Sequence, residues 1–219
     1  MEEVLTLVID GTEPPSAATV RAVLAACDTA EDRAGTGALV VQVGGAPAEG
    51  WTSGLDVTKV SKWERALRRL ERLARPTVAV ASGDCGGAAL DAFLACDIRL
   101  ITPGTRLLVS TDAAATWPGM AGYRLVQLAG AARVRRALLF GLPIEAPEAL
   151  AAGLADELTD DPAGALAAAA RLVGELAGAE IAIRRQLLFD AATTSFEEAL
   201  GPHLAACDRM LREPERVAS

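Results

Sequence analysis

Four short apolar runs rich in β-branched residues alternate with amphipathic helical patterns in the first half of this 219-residue chain. The strand-like runs cover residues 4–10, 38–43, 77–82 and 98–102, with a weaker fifth run at residues 106–110. Each is bounded by Gly, Pro or Asp, as buried strands usually are. Helical patterns occupy residues 16–33, 60–75 and 86–96. The alternation predicts an α/β fold with a largely parallel sheet, and by itself it fits a doubly wound nucleotide-binding fold almost as well.

After Trp117 the strand-like runs stop, and the remaining pattern is helical. The predicted helices cover residues 120–140, 146–152, 161–177, 180–193 and 195–212. Ser195 and Glu198 form a capping-box pattern that opens the last of them, while Gly153 and Gly178 stand where helices are expected to end. Because no domain boundary is visible, we expect a single domain over residues 1–219, divided into a core of residues 1–117 and a helical region of residues 118–219.

Charge and composition argue against several classes of function. The formal net charge of −8 and the pI near 4.8 disfavour a nucleic-acid or anionic-membrane surface, which needs clustered positive charge. The cysteines Cys27, Cys85, Cys96 and Cys207 form no CxxC pattern, and His203 is the only histidine, so we expect no metal site. No signal peptide or membrane-spanning run is apparent. We therefore expect a cytoplasmic globular protein without a membrane or nucleic-acid partner.

Residues 82–97 join a strand to a helix through several small residues, in the sequence Ser-Gly-Asp-Cys-Gly-Gly-Ala-Ala-Leu-Asp-Ala-Phe-Leu-Ala-Cys-Asp. Small residues at such a junction let a ligand approach the backbone, and the free amides of a first helical turn stabilise negative charge. Either the enolate oxygen of a thioester or a phosphate would be stabilised there. The chain lacks a GxGxxG motif and a Lys-Ser/Thr pair after the glycines, which counts against a nucleotide site.

The same junction resembles the signature of the crotonase (enoyl-CoA hydratase/isomerase) superfamily, Gly-x-x-x-Gly-Gly-Gly-x-Glu-Leu-Ala-x-x-Cys-Asp, which aligns with residues 83–97 without a gap. Other segments resemble further motifs of the family in the same order. These are the strand ending in Gly-Gly, the Ala-Gly-Ala-Asp-Leu loop, the Lys-Pro-Val-Ile-Ala strand, the Pro-Gly-x-Gly-Gly-x-x-Arg-Leu segment and the Gly-x-x-Ile-x-Ala-x-Glu-Ala segment, at residues 38–45, 53–57, 75–80, 117–125 and 141–156. The match covers nearly the whole chain.

The resemblance implies a crotonase-like α/β fold with a ββα spiral core and a C-terminal helical trimerisation region, assembled as a homotrimer or hexamer. It also implies an acyl-CoA thioester as the ligand, with coenzyme A as part of the substrate and no separate cofactor. The two oxyanion-hole amides of the family fall on Leu55 and Ala88, and its first acid/base glutamate falls on Asp91. An alternative interpretation of Asp91 is that it only complements the helix dipole.

The second glutamate of the family's hydratases falls on Thr111, which cannot act as a general base at neutral pH. Its neighbour Asp112 is the alternative. This departure predicts that simple hydration of crotonyl-CoA is impaired. The resemblance further implies substrate contacts in both active-site loops and at the presumed acyl pocket, by Ser53, Gly54, Gly86, Gly87, Thr111, Asp112 and Trp117.

Short length, Ala- and Arg-rich composition and altered acid/base positions most resemble the DpgB-type proteins, small hydratase-like proteins of 3,5-dihydroxyphenylglycine biosynthesis for glycopeptide antibiotics. That resemblance implies a dehydration that assists formation of 3,5-dihydroxyphenylacetyl-CoA from a polyketide-derived CoA thioester. The partners would be a type III polyketide synthase and a second hydratase-like protein. Two alternatives remain open. The chain could be a catalytically impaired partner that stimulates the synthase or another hydratase, or a fatty enoyl-CoA isomerase, which needs only one carboxylate.

Overall fold

The structure, a computed structural model, describes residues 5–32, 37–113, 115–174 and 179–217. Its strands are β1 Leu5–Asp10, β2 Leu39–Gly45, β3 Thr77–Gly86, β4 Ile98–Ile101, β5 Arg106–Leu108, β6 Thr111–Asp112, β7 Ala115–Thr116, β8 Ile144–Glu145 and β9 Glu157–Leu158. Its helices are α1 Ala17–Asp32, α2 Val57–Glu71, α3 Gly87–Leu94, α4 Met120–Ala129, α5 Ala131–Phe140, α6 Ala146–Ala151, α7 Pro162–Gly174, α8 Ala179–Ala191 and α9 Phe196–Val217. All five strand-like runs and all three early helical patterns of the sequence correspond to elements of this fold.

The main sheet has the strand order β1-β2-β3-β4-β9, and every neighbouring pair along this path is parallel. The first part of β3 pairs with β2 and β4, whereas its last three residues pair with β5. The register between β2 and β3 shifts between Val43 and Gly45. Beyond this shift Cys85 still pairs with Gly45 of β2, and the end of β3 changes its other partner from β4 to β5 before it leads into α3. The predicted α/β class with a largely parallel sheet is confirmed.

Two predictions for the second half of the chain are wrong. Strands do occur after Trp117, because β8 pairs with β5 and β9 pairs with β4. The helix predicted over residues 120–140 is divided at Gly130, whose φ of 79° and ψ of 148° end α4 and begin α5. Strands of two residues have no hydrophobic period to detect, and an isolated Gly within a helical pattern does not by itself indicate a break.

Helices cover both faces of the sheet. The main core, which includes the fully buried Trp63 and Phe93, lies between the sheet and α1, α2 and α3. A smaller cluster on the other side joins Val78 and Leu100 to Ala165 of α7. Because both faces are covered, the central strands are continuous apolar runs and not alternating ones.

Arg185 of α8 connects the helical region to the strand-rich core through hydrogen bonds and an ion pair. Its Nε and Nη2 donate to the two oxygens of Asp97 at 2.6 and 2.7 Å, and its Nη1 donates to the carbonyl groups of Glu71 and Leu73 at 3.0 and 2.7 Å. Asp97 also accepts from the backbone N–H of Thr77 at 2.8 Å. A bidentate guanidinium–carboxylate pair of this kind fixes the relative orientation of the two side chains and is stronger than a hydrogen bond between neutral groups. The Asp that closes the signature therefore has a structural role.

Two of the helix-terminus signals predicted for the second half of the chain are confirmed. Ser195 N–H donates to Glu198 Oε2 at 2.9 Å, and Glu198 N–H donates to Ser195 Oγ at 3.3 Å, which confirms the capping box. Gly153 follows α6 with a φ of 72°. Gly178 lies outside the described residues. Within the described ranges, no helix is both long and apolar enough to cross a membrane.

Candidate active site

The junction between β3 and α3 places backbone amides at the base of a narrow cavity. Gly87, the first residue of α3, has a φ of 51°, and a Cβ atom there would lie 3.2 Å from the carbonyl oxygen of Gly11. Both the positive φ and the close approach favour glycine at this position. The next residue, Ala88, is buried in the first turn of α3, where a helix provides no carbonyl partner for its N–H groups. Ala88 lines the cavity at the N-terminal end of α3, which is the positive end of the helix dipole.

The structure brings five of the ten predicted site residues to the wall of this cavity: Leu55, Gly87, Ala88, Asp91 and Trp117. The other five, Ser53, Gly54, Gly86, Thr111 and Asp112, are absent from its lining. Its free volume is about 30 Å³, which is room for one or two water molecules. An acyl group can enter only if the side chains around the cavity move.

The Leu55 amide has a partner in this conformation. Its N–H donates to the carbonyl oxygen of Thr52 at 2.9 Å, within a turn that contains Gly54 at a φ of 79°. Asp56, the next residue, caps α2 by accepting from the N–H of Lys59 at 2.8 Å. That hydrogen bond lowers the pKa of Asp56. Asp56 is therefore an anchor for the loop, and Leu55 can bind a thioester oxygen only by sharing or exchanging its bond to Thr52.

Asp91 follows Ala88 by three residues on α3, so both lie on the same face of the helix. The indole Nε1 of Trp63 donates to Asp91 Oδ2 at 2.9 Å. Burial of the carboxylate and the negative charge of Glu64 raise the pKa of Asp91 to about 6, against the opposing effects of Trp63 and Arg124. A carboxyl group with a pKa near neutrality can both accept and return a proton at physiological pH. An Asp that only complemented the helix dipole would need neither the hydrogen bond from Trp63 nor a position at the cavity.

Glu64 is a second carboxylate at the same cavity, and sequence reasoning missed it because the α2 pattern assigned its Glu and Arg residues to a solvent face. Glu64 Oε2 lies 3.0 Å from an Nη of Arg124, whose Nε donates to Glu71 Oε1 at 2.6 Å. Burial raises the pKa of Glu64, while Arg124 opposes this. No short sequence motif links these three residues, because Arg124 comes from α4, more than fifty positions after α2.

Thr111 occupies the position of the family's second glutamate and Asp112 is its neighbour, but both have contacts outside the Asp91 cavity. The carbonyl oxygen of Thr111 accepts from Trp51 Nε1 at 3.1 Å, and the Thr111 residue is exposed. Asp112 accepts a hydrogen bond from the hydroxyl of Thr52. The ring of Trp51 meets Trp117 edge to face, with centroids 5.3 Å apart. Thr111 and Asp112 therefore hold the loop of residues 50–54 in place, and neither reaches the Asp91 cavity.

Ser110, the residue before Thr111, lines the cavity and was also missed. Its Oγ accepts from the N–H of Gly87 at 2.9 Å, so its own O–H remains available to a ligand. Cys85 lies under the same junction, and burial together with the charge of Asp91 raises the pKa of its thiol. Such a thiol is a poor nucleophile. Among the described residues, no group of three or more His, Cys, Asp or Glu side chains could hold a metal ion.

Comparison with known proteins identifies the family. The sequence profile described as enoyl-CoA hydratase/isomerase matches residues 47–219. The chain belongs to the enoyl-CoA hydratase/isomerase family. An "Enoyl-CoA-hydratase" from Amycolatopsis orientalis is 56% identical over 208 residues, which cover 95% of this chain and 96% of that protein. The "Putative enoyl-CoA hydratase/isomerase YngF" of Bacillus subtilis is 32% identical over 142 residues, or 61% of this chain and 55% of that protein.

Solved structures agree at the level of the fold. The crystal structure of an enoyl-CoA hydratase/isomerase from Marinobacter aquaeolei superposes with a TM-score of 0.80 at 16% sequence identity, covering 99% of this chain and 92% of that one. The mixed α/β crotonase-like fold implied by the sequence is therefore confirmed. Membership of the enoyl-CoA hydratase/isomerase family supports an enoyl-CoA hydratase-like function and is consistent with an acyl-CoA substrate.

Proposed function

We propose that this member of the enoyl-CoA hydratase/isomerase family eliminates water from, or adds water to, the α and β carbons of an acyl-CoA thioester. The single observation that supports the proposal best is the position of Asp91. Its carboxyl group, with a pKa of about 6, lies at the same cavity as Ala88, the second residue of α3, whose N–H has no carbonyl partner within the helix. A proton acceptor and an oxyanion donor on one rigid helix are the two groups that enolate chemistry requires.

The proposed reaction begins with the thioester oxygen at the Ala88 N–H. Because the pKa of Asp91 is about 6, most of the carboxyl groups are ionised at pH 7 and can accept the proton from the α carbon. The electron pair of that C–H bond forms an enolate, whose oxygen the Ala88 amide and the α3 dipole stabilise. The enolate then collapses to a carbon–carbon double bond as the bond from the β carbon to oxygen breaks. The departing hydroxide takes the proton from Asp91 and leaves as water.

The substrate we propose is a polyketide-derived CoA thioester, dehydrated towards 3,5-dihydroxyphenylacetyl-CoA, with coenzyme A as part of the substrate and no separate cofactor. One structural feature supports an oxygen-rich acyl group. A neighbouring cavity of about 500 Å³ shares Glu64 with the Asp91 cavity and is lined by Arg124 and Tyr123. Arg124 Nη1 is buried there without a hydrogen-bond acceptor among the described residues. A carbonyl or hydroxyl oxygen of the acyl group would satisfy it.

A second candidate function is a non-catalytic partner that stimulates a type III polyketide synthase or another hydratase-like protein. It is favoured by the Leu55 N–H, which already has a partner, and by the small free volume of the cavity. A fatty enoyl-CoA isomerase is the third candidate, since double-bond migration needs only the one carboxylate of Asp91. The three candidates differ in the substrate that the isolated chain converts.

The test uses the purified chain with a 3-hydroxyacyl-CoA and, separately, a 3-enoyl-CoA. We expect release of water from the first without any added protein. Asp91→Asn should lower this turnover by 100-fold or more, about the contribution of a general base, while binding of the CoA ester changes little. Asp84→Asn is the matched control, because that carboxylate is in the same signature but pairs with Arg106 at the surface. Equal turnover of wild type and Asp91→Asn would refute the proposal, and activity only with the synthase present would favour the second candidate.

We also propose a homotrimer or hexamer built on the helical region. Large apolar side chains on α8 and α9 are exposed in the single chain, including Leu188, Phe196 and Leu211 at 73%, 75% and 75%. Exposed apolar groups clustered on neighbouring helices are typical of an assembly surface. Light scattering should give three or six times the chain mass of 22.6 kDa. A monomer at micromolar concentration would contradict this assembly.

A further inference from the structure

Elimination of water involves two reacting positions, the α proton and the β oxygen, and Asp91 accounts for only one of them. The family's second glutamate position is Thr111, which is exposed and outside the cavity. A different residue must contact the β oxygen if the chain performs the proposed reaction. That residue would have to be one of the polar side chains at the cavity.

Glu64 has the required position. It directly follows Trp63, whose indole holds Asp91, and it lines the same cavity with a side chain that is 19% exposed. Its Oε2 is fully buried 3.0 Å from Nη2 of Arg124, whereas its Oε1 has no hydrogen-bond donor among the described residues. A carboxylate oxygen without a donor from the protein accepts from a ligand or from water, so Oε1 is the oxygen that could contact a substrate. Burial raises the pKa of Glu64, and the Arg124 guanidinium opposes this by favouring the ionised, accepting form.

We propose that Glu64 is the second carboxylate of this site and accepts a hydrogen bond from the hydroxyl group that leaves, or the water that adds, at the β carbon. The inference rests on the proposed function. In the elimination, Asp91 takes the proton from the α carbon, the bond from the β carbon to oxygen breaks, and the proton on Asp91 passes to the departing hydroxide. Glu64 keeps its charge throughout and orients the oxygen towards Asp91, so the products are enoyl-CoA and water.

A purely structural role for Glu64 is the competing explanation, because Arg124 binds both Glu64 and Glu71. The chain offers a matched control for this. Glu71 forms the shorter ion pair with the same guanidinium but is absent from the lining of the Asp91 cavity. Glu64→Gln and Glu71→Gln each remove one carboxylate from Arg124, and only the first removes one from the cavity.

The experiment compares wild type, Glu64→Gln, Glu71→Gln and Asp91→Asn in two assays. The first is elimination from a 3-hydroxyacyl-CoA; the second is exchange of the α protons of butyryl-CoA with D₂O, which has no β oxygen. Glu64→Gln should lower elimination about 10- to 100-fold, the range for a hydrogen bond to a charged group, and leave exchange within about threefold. Glu71→Gln should lower elimination less than Glu64→Gln does and leave exchange within about threefold, and Asp91→Asn should lose both activities.

The pH profile gives a second readout that a structural role would not produce. The charges near Asp91 are those of Glu64 and Arg124, with the neutral Trp63 indole and Cys85 thiol beside them. Removing the negative charge of Glu64 should move the acidic limb of the elimination profile to lower pH. Glu71→Gln should leave that limb in place, because Glu71 does not act on Asp91.

The outcomes separate the two proposals. Equal elimination by Glu64→Gln and Glu71→Gln, with Asp91→Asn inactive, would overturn the role of Glu64 and leave the proposed function standing. An inactive wild type, or an Asp91→Asn variant with full activity, would overturn both. If Glu64→Gln does not fold, Glu64→Asp takes its place. This variant keeps a charge for Arg124 and withdraws the oxygen from the cavity, so a normal rate of elimination would contradict the proposal.

Discussion

The indole Nε1 of Trp63 on α2 donates a 2.9 Å hydrogen bond to Oδ2 of Asp91 on α3. This bond stabilises the ionised carboxylate and so lowers its pKa, whereas burial and the charge of Glu64 raise it. The pKa of about 6 is the balance of these effects. Trp63 is almost fully buried, so it also fixes the orientation of the carboxylate. Trp63 is therefore a positioning residue for the proposed acid/base group.

Trp63→Phe should raise the pKa of Asp91 further, because it removes a hydrogen bond to the charged form and leaves the apolar surroundings in place. The acidic limb of kcat/KM should then move to higher pH, with a larger loss of activity at pH 6 than at pH 8. Trp51→Phe is the control, since the indole of Trp51 donates to the carbonyl of Thr111 and not to Asp91. Identical acidic limbs in the two variants would be inconsistent with this account.

Asp91→Asn should stabilise the fold at high pH and leave its stability unchanged near pH 4. The folded-state pKa of about 6 exceeds the ordinary value of 3.8, so the folded state binds the proton more tightly than the unfolded chain. Stability is consequently lost as pH rises from about 4 to 6, by up to about 3 kcal/mol. Asn removes this cost, and we expect a gain of about 1–3 kcal/mol at pH 8 in urea unfolding. A similar gain at both pH values would show that ionisation is not its cause.

Replacing Arg185 with Met should lower the free energy of unfolding by about 3–5 kcal/mol, the usual cost of leaving one partner of a buried pair without the other. The substitution also removes the donors to the carbonyl groups of Glu71 and Leu73. Arg184→Met is the neighbouring control. Arg184 is half exposed and pairs with Glu180 one turn away, so its loss should cost less than about 1 kcal/mol. Denaturant unfolding measures both, and equal losses would contradict the proposed anchor.

Asp112→Asn should leave the acidic limb of the pH profile unchanged, because Asp112 holds Thr52 and does not line the Asp91 cavity. Thr52→Val removes the other half of that bond. If the bond acts only on the loop, the two substitutions should have similar effects on KM and should not add in the double variant. A pH limb that disappears in Asp112→Asn alone would instead identify Asp112 as a proton acceptor.

Gly11→Ala should destabilise the junction that forms the site. A Cβ atom on Gly11 would lie 2.4 Å from the carbonyl oxygens of both Gly45 and Gly86 and 2.8 Å from the Cβ of Ala89. Since two of these contacts are with backbone, the strands and α3 must move apart, at a cost of at least about 1–3 kcal/mol. Gly201→Ala in α9 meets no atom within 4 Å and should be neutral or stabilising. Thermal unfolding of the two variants tests the contrast.

Much of the fold could be predicted because its strands are long enough to have a signal. The parallel strands and the helices between them follow from apolar runs and helical periods. The two-residue strands β8 and β9 depend on contacts between distant segments, and the strands of the local β6–β7 hairpin are too short to have a period. The common location of Ala88 and Asp91 follows from their spacing of three on one helix. Glu64 could not be found in this way. The helical period of α2 places Glu64 on the polar face, but it does not show that Arg124 of α4 packs against that residue.

Glu71 stands at the end of α2 with its backbone carbonyl bound to Arg185 of α8 and its carboxylate bound to Arg124 of α4. Both arginines come from the second half of the chain, and Arg124 also sets the charge balance of Glu64 and Asp91. A fragment that ends at residue 117 would consequently contain the glycine-rich junction but lack both Arg124, the cation that acts on Asp91 and Glu64, and Arg185, which binds the end of α2. Efforts to minimise or transplant this site therefore have to include the helices as far as α8.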